Sequence, residues 1–125
     1  MADTELLEVH IDETDTGGTD PGAGDGGGAR AVTVRLAGVL DIGTVGRFRE
    51  AVEPYLKQGR GVVADLSEVT FCDSTGLGAI VVLHRMANAA GVPFALRSPR
   101  HRVAAVLAMT GVDQIVTVLS DPDAQ

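Results

Sequence analysis

The sequence predicts a single α/β domain built on a largely parallel sheet. Strand-type and helix-type segments alternate along the chain after an initial hairpin-like pair of strands, the order that βαβ units produce. The 125 residues are enough for one small domain and too few for two. Apolar residues make up 45% of the chain but aromatics only 3%, so the core has to be assembled from Val, Leu, Ile and Ala.

The elements follow in order. Leu6 to Ile11 alternates, with Leu7, Val9 and Ile11 on one face, as a half-buried strand does. Residues 14–29 are Gly, Asp, Thr and Pro, with seven glycines between Gly17 and Gly28. Such a stretch cannot bury enough surface to offset its ordering entropy, so a flexible loop inserted between the first two strands is expected. It reads as a tolerated insertion or as an acidic lure for a basic partner. Val32, Val34 and Leu36 alternate with Thr33 and Arg35 in a second strand, and a loop over Ala37–Gly43 leads to Thr44 as N-cap. Val45, Phe48, Val52, Tyr55 and Leu56 then fall at helical spacing, and Pro54 is expected to kink or shorten that helix.

Val62 to Leu66 is a buried-type strand. A helix from Thr75 to about Ala90 ends on Gly91 in the C′ position. Val92 to Leu96 is the next strand, and Ser98-Pro99 reads as a helix start, a cap followed by proline. Val103, Val106, Leu107 and Thr110 share one face of that helix, which Gly111 terminates. Ile115 to Leu119 is the last strand, and residues 120–125 form a frayed polar tail.

Charge is distributed unevenly. The net charge is −7, and residues 1–30 carry all of it, with eight acids against Arg30, whereas residues 31–125 balance. No basic face is present, which argues against a nucleic-acid partner. Cys72 is the only cysteine, so no internal disulfide can form, as suits a reducing compartment. The acidic start lacks the basic region of a secretion signal, and the apolar runs fall short of a membrane span. A cytoplasmic protein without membrane insertion is expected.

The most informative segment is Val69-Thr70-Phe71-Cys72-Asp73-Ser74-Thr75-Gly76-Leu77-Gly78. An apolar strand-like run hands over to a helix start through an acid and two hydroxyls. Backbone donors at a helix N-terminus are unpaired and the dipole favours negative charge there, so the Ser74 hydroxyl suits either capping or carrying a phosphate. The reciprocal capping box is absent, because Leu77 stands where Glu or Gln would be needed. Gly76 and Gly78 lack the Lys-Ser or Lys-Thr of a phosphate-binding loop and instead suit close approach of a neighbouring strand or of a partner.

Catalysis by this chain is not expected. Ser74 has Gly76 two places after it but Cys72, not glycine, two places before, so it is no nucleophile elbow. His84 lies at helical spacing from Leu77, Ile80 and Val81 as a semi-buried helix residue. His101 sits between Arg100 and Arg102 in a solvated first turn. No histidine has metal-ligand spacing to a cysteine or carboxylate. The apolar flanks of Cys72 mark a buried small hydrophobe.

Gly38-Val39-Leu40-Asp41, Asp65-Leu66-Ser67, Phe71 to Gly78 and Thr110-Gly111-Val112 together resemble the STAS domain, the domain of sulfate transporters and anti-sigma factor antagonists. The match is ordered and spans roughly 31–119. It implies a small mixed sheet with helices packed mainly on one face. Two departures stand out: Cys72 replaces the usual aliphatic residue before Asp73, and the glycine-rich insertion is longer than the family norm.

In stand-alone bacterial members, the serine after the motif's aspartate is phosphorylated by an anti-sigma factor with kinase activity. Carried onto this chain, the resemblance implies a phosphorylation site at Ser74. It implies a partner surface comprising Asp41, Thr44, Asp73, Thr75, Gly76 and Leu77. The implied function is anti-sigma factor antagonism: the unphosphorylated chain binds the anti-sigma factor with serine kinase activity, releasing its sigma factor, and phosphorylation breaks the complex. A phosphatase would reset it. No cofactor and no metal belong to this chain, since ATP and magnesium come with the kinase. The alternatives are a STAS adaptor subunit of a transport system and a nucleotide-sensing STAS module.

Overall fold

The computed structural model describes residues 7–13 and 31–120. Leu6, the glycine-rich insertion over 14–29 and tail residues 121–125 lie outside the described residues. The elements are β1 (Leu7–Asp12), β2 (Val32–Leu40), α1 (Val45–Lys57), β3 (Val62–Cys72), α2 (Ser74–Ala90), β4 (Phe94–Arg97), α3 (His101–Thr110), a 3₁₀ turn (Val112–Gln114) and β5 (Thr117–Leu119).

The five strands lie in the sheet in chain order. β1 pairs antiparallel with β2, and every later pair is parallel. Parallel neighbours require crossovers, which are right-handed as a rule; when strand order follows chain order, each crossover helix falls on the same face. Burial agrees. Val34, Ala64 and Leu96, in register across β2, β3 and β4, are fully buried in one cluster with Phe48, Val52 and Leu56 of α1, Ile80 and Leu83 of α2, and Val103 and Leu107 of α3. The next residues along, Arg35, Asp65 and Arg97, face the other way, and Arg97 donates to Asp65 at 3.2 Å. The result is a mixed, mostly parallel sheet with three helices over its apolar face.

Several elements differ from expectation for identifiable reasons. β2 runs on to Leu40, through the stretch expected to be loop, because β3 also runs on to Cys72 and the two pair along their length. Thr44 occupies the N-cap position but its side chain does not cap α1. Its hydroxyl turns inward, donates to the Val39 carbonyl at 2.8 Å and accepts from the Asp41 amide at 3.0 Å. Pro54 does not shorten α1, which continues to Lys57. A proline in the last turn removes one donor, and the carbonyl it orphans belongs to exposed Glu50, within reach of water.

The helix expected at Ser98-Pro99 begins at His101 instead. Ser98 sits in the left-handed region at φ 55° and donates its amide to the Leu119 carbonyl at 2.8 Å, extending the β4–β5 ladder. A residue held by the sheet cannot start a helix, so Pro99 becomes a spacer. The last strand starts at Thr117 because the 3₁₀ turn takes up the preceding residues. Gly91 and Gly111 end α2 and α3 in left-handed conformations, at φ 73° and 80°.

Candidate functional site at the start of helix α2

Two chain crossings at the C-terminal ends of the parallel strands build the site. β2 and β3 pair Leu40 with Cys72, and the Asp73 amide donates to the Leu40 carbonyl at 3.1 Å. This ties the loop after β2 to the loop after β3. Gly76 completes the fit: a Cβ there would meet Cys72 Sγ at 2.8 Å, Leu40 Cβ at 2.9 Å and the Leu40 carbonyl oxygen at 3.0 Å. The glycine is thus required by close approach of the neighbouring strand, one of the two readings of the motif. Gly78 is exposed, and a Cβ added there would meet nothing within 4 Å, so the interior does not demand it.

Asp73, not Ser74, is the N-cap of α2: its Oδ1 accepts from the amides of Thr75 at 2.9 Å and Gly76 at 3.1 Å. Ser74 is the first helical residue and is exposed, and its hydroxyl makes no hydrogen bond among the described residues. The acid holds the helix and leaves the hydroxyl free.

Beside it, the Asp41 loop is a closed turn. The Gly43 amide donates to Asp41 Oδ1 at 2.9 Å, and the amides of Thr44 and Val45 donate to the Asp41 carbonyl. The tip residue Ile42 is 80% exposed. The structure therefore brings Asp41, Asp73, Ser74 and Thr75 together on one rim. It buries the other three residues implied for the partner surface: Thr44 is 1% exposed, and Gly76 and Leu77 pack inward. Their part is to shape the rim from beneath.

Sequence reasoning missed two exposed apolar residues near this rim, Ile42 and Phe71. The cause of the second is legible in the pairing. β2 and β3 slip register twice, between Arg35 and Ala37 and between Gly38 and Val39. The inward phase of β3 runs through Val62, Ala64 and Leu66, moves to Val69 at the first bulge and to Cys72 at the second. Phe71, which would follow Val69 inward on an unbroken strand, is turned out and 52% exposed. Ile42 had only its position between an acid and a glycine to mark it.

Cys72 takes the inward place, and burial, with the charge of Asp73 adding, pushes its thiol up to about 11. It is a protonated core residue at neutral pH. His84 is half-buried with Nε2 3.3 Å from Asn88 Nδ2, and its ten-residue separation from Ser74 along α2 amounts to about 15 Å. It cannot activate that hydroxyl. Among the described residues there is no cluster of three or more His, Cys, Asp or Glu able to hold a metal, and no helix long and apolar enough to cross a membrane.

The STAS domain profile matches residues 27–124. The anti-sigma-B factor antagonist of Bacillus subtilis is 29% identical over 87 residues, covering 70% of this chain and 80% of that protein. Among solved structures, an anti-sigma factor antagonist from Mycobacterium paratuberculosis superposes with a TM-score of 0.73 at 18% identity, over 94% of this chain and 88% of that one. The Bacillus anti-sigma factor antagonist SpoIIAA is similar in its unphosphorylated form, with a TM-score of 0.64 at 23% identity over 76% of this chain and 83% of that one. Its phosphorylated form gives 0.58 at 22% identity, over 74% and 84%. At these identities the structural likeness speaks for the fold.

Proposed function

The chain belongs to the STAS domain family, and from that membership we propose that it is a cytoplasmic anti-sigma factor antagonist switched by phosphorylation of Ser74. Unmodified, it docks on an anti-sigma factor that carries serine kinase activity, through the rim of Asp41, Asp73, Ser74 and Thr75, and so frees a sigma factor. Phosphoryl transfer to Ser74 ends the complex, and a phosphatase restores it. The chain is substrate and ligand in this cycle; ATP, magnesium and the catalytic base belong to the kinase. Relatives named anti-sigma factor antagonists support the partner class, and SpoIIAA, described in phosphorylated and unphosphorylated forms, supports the modification.

The single observation that carries the reading is the division between Asp73 and Ser74: the cap is made by the acid, and the neighbouring hydroxyl is exposed and unengaged. A phosphoserine brings about −1.5 to −2 charges at neutral pH. The helix dipole favours a negative group here, but the Thr75 and Gly76 amides are already taken by Asp73, whose carboxylate adds repulsion. The phosphate therefore stays presented to solvent, and the cap that holds the fold is untouched. A docked partner would have to bury it beside a second acid. Truncation of buried charge pairs costs on the order of 2–5 kcal/mol or more, and a swing of about 5.5 kcal/mol takes occupancy from nearly full to nearly empty.

Incubation with candidate anti-sigma kinases and ATP, followed by mass spectrometry, tests the site. The phosphate is expected on Ser74, with Ser74→Ala remaining bound to the kinase and Ser74→Glu released. Equal binding of the two variants would place the switch elsewhere.

A further inference from the structure

We infer that the cleft between the end of β3 and α3 is a second docking groove, shaped for a segment of a partner protein that carries carboxylates next to a large apolar side chain. One part of the cleft is a hollow of about 400 Å³, walled by Phe71 and Cys72 on β3 and by Val103, Ala105 and Val106 on α3. A second hollow of about 480 Å³ is lined by Thr70, Arg100, His101 and Arg102, and shares Thr70, His101 and Arg102 with the first. The two form a continuous groove, apolar along the helix and cationic at its start.

Both ends are exposed among the described residues. The second bulge of β3 places Phe71 at the surface, although the protein has only three phenylalanines, one tyrosine and no tryptophan with which to fill a core. One turn beyond Ala105 on α3, Met109 is 84% exposed. At the other end, Arg100 donates its Nε to the Ser67 carbonyl at 2.9 Å, which fixes the guanidinium at the rim. Neither Arg100 nor Arg102 pairs with a carboxylate among the described residues. α3 also starts without a side-chain cap.

Charge and length select the occupant. The net charge of −7 lies in residues 1–30 and residues 31–125 balance, so two arginines with no carboxylate partner among the described residues, set beside an apolar wall, select carboxylates locally. The ten residues of α3 extend about 15 Å, and the exposed apolar side chains are spread from Phe71 to Met109. A small anion would leave most of that surface wet. A peptide segment of about five extended residues covers it, with an aromatic or aliphatic anchor against Phe71 and acids toward Arg100 and Arg102. The groove uses no atom of Ser74, so it goes beyond the phosphorylation switch. Cys72 nevertheless puts its wall two residues from that serine, so one partner can span both.

The test is selection of a random peptide library displayed on phage against the full chain in a Ser74→Ala background, where phosphorylation cannot intervene. Recovered peptides are expected to combine acids with a large apolar residue, and their backbone-amide shift changes to fall on Thr70–Cys72 and α3. Phe71→Ser and Arg102→Glu alter exposed side chains, and unchanged thermal midpoints confirm that both fold. Phe71→Ser is expected to weaken a selected peptide about tenfold or more, the loss of an aromatic anchor, and Arg102→Glu to abolish the acidic bias. Recovery of nothing above background, of peptides without acidic bias, or of peptides that bind elsewhere would overturn the inference.

Discussion

Two alanine substitutions on α2, two residues apart, are expected to move stability in opposite directions. At Gly76 a methyl group would lie 2.9 Å from Leu40 Cβ and 3.0 Å from the Leu40 carbonyl oxygen. Both atoms belong to or adjoin the β2 backbone, so no rotamer change relieves the clash, and α2 has to shift against the sheet. Overpacking of this kind costs about 1–3 kcal/mol, against a helix-propensity gain of at most about 1 kcal/mol. The net expectation for Gly76→Ala is a loss of roughly 1–2 kcal/mol, or a drop in Tm of about 4–8 °C for a domain of this size. At Gly78 the added carbon meets nothing within 4 Å. Only the propensity gain remains, about 0.5–1 kcal/mol, a rise in Tm of about 2–4 °C. Thermal and urea unfolding followed by circular dichroism measure both. If Gly76→Ala equalled the parent, or Gly78→Ala fell below it, the packing of α2 on Leu40 would be misdescribed. The pair also bears on function. A glycine kept on an exposed helical face one turn after Ser74, at a cost in stability, is explained if a partner's backbone closes on it. Gly78→Ala should then bind the proposed anti-sigma factor partner more weakly while unfolding at higher temperature.

Asp73→Ala removes the acceptor of two helix-start amides and should lower stability by about 0.5–2 kcal/mol, whereas Asp73→Asn, which caps as well, should keep most of it; urea midpoints compare them, and equal losses would deny the cap its role. Asp65 is expected to set part of the acid limb of stability. Burial alone would raise its pKa, but hydrogen bonds from Ser67 and Arg97 hold it below the ordinary 3.8. Its stabilisation is therefore complete above that value and lost as pH falls through the lower folded-state value, so Asp65→Asn should flatten the fall of the urea midpoint as pH drops below the ordinary 3.8. An unchanged slope would show the carboxylate to be uninvolved. Cys72, with its thiol pushed up to about 11, should react with an aromatic disulfide reagent only through local opening, far more slowly than in denaturant; equal rates would mean that the side chain is not in the core.

Much of the architecture could be read from residues because local rules and tertiary demands coincide. The alternation of Val32, Val34 and Leu36, the helical spacing of Phe48, Val52 and Leu56, and the terminal Gly91 and Gly111 each report directly on burial or backbone conformation. What could not be read depends on pairing. Residues 37–40 look like loop by composition, yet they are strand because β3 offers them partners. Ser98-Pro99 carries a helix-start signal that a single hydrogen bond to Leu119 overrides. At the candidate site, the motif located the exposed serine. It did not assign the cap, since aspartate and serine are equivalent as capping residues in sequence and only geometry separates them. Phe71 depends on two bulges between strands, which no single-chain pattern encodes.

The sheet's strand order, identical to the order of synthesis, bears on how the protein comes into being. Each strand that leaves the ribosome finds its neighbour already made, and no later strand has to be threaded between earlier ones. Closure of each pair spans a single connection between consecutive strands, and loop entropy grows only with the logarithm of loop length, so a long segment between β1 and β2 hinders assembly little. A chain built this way is suited to folding during translation.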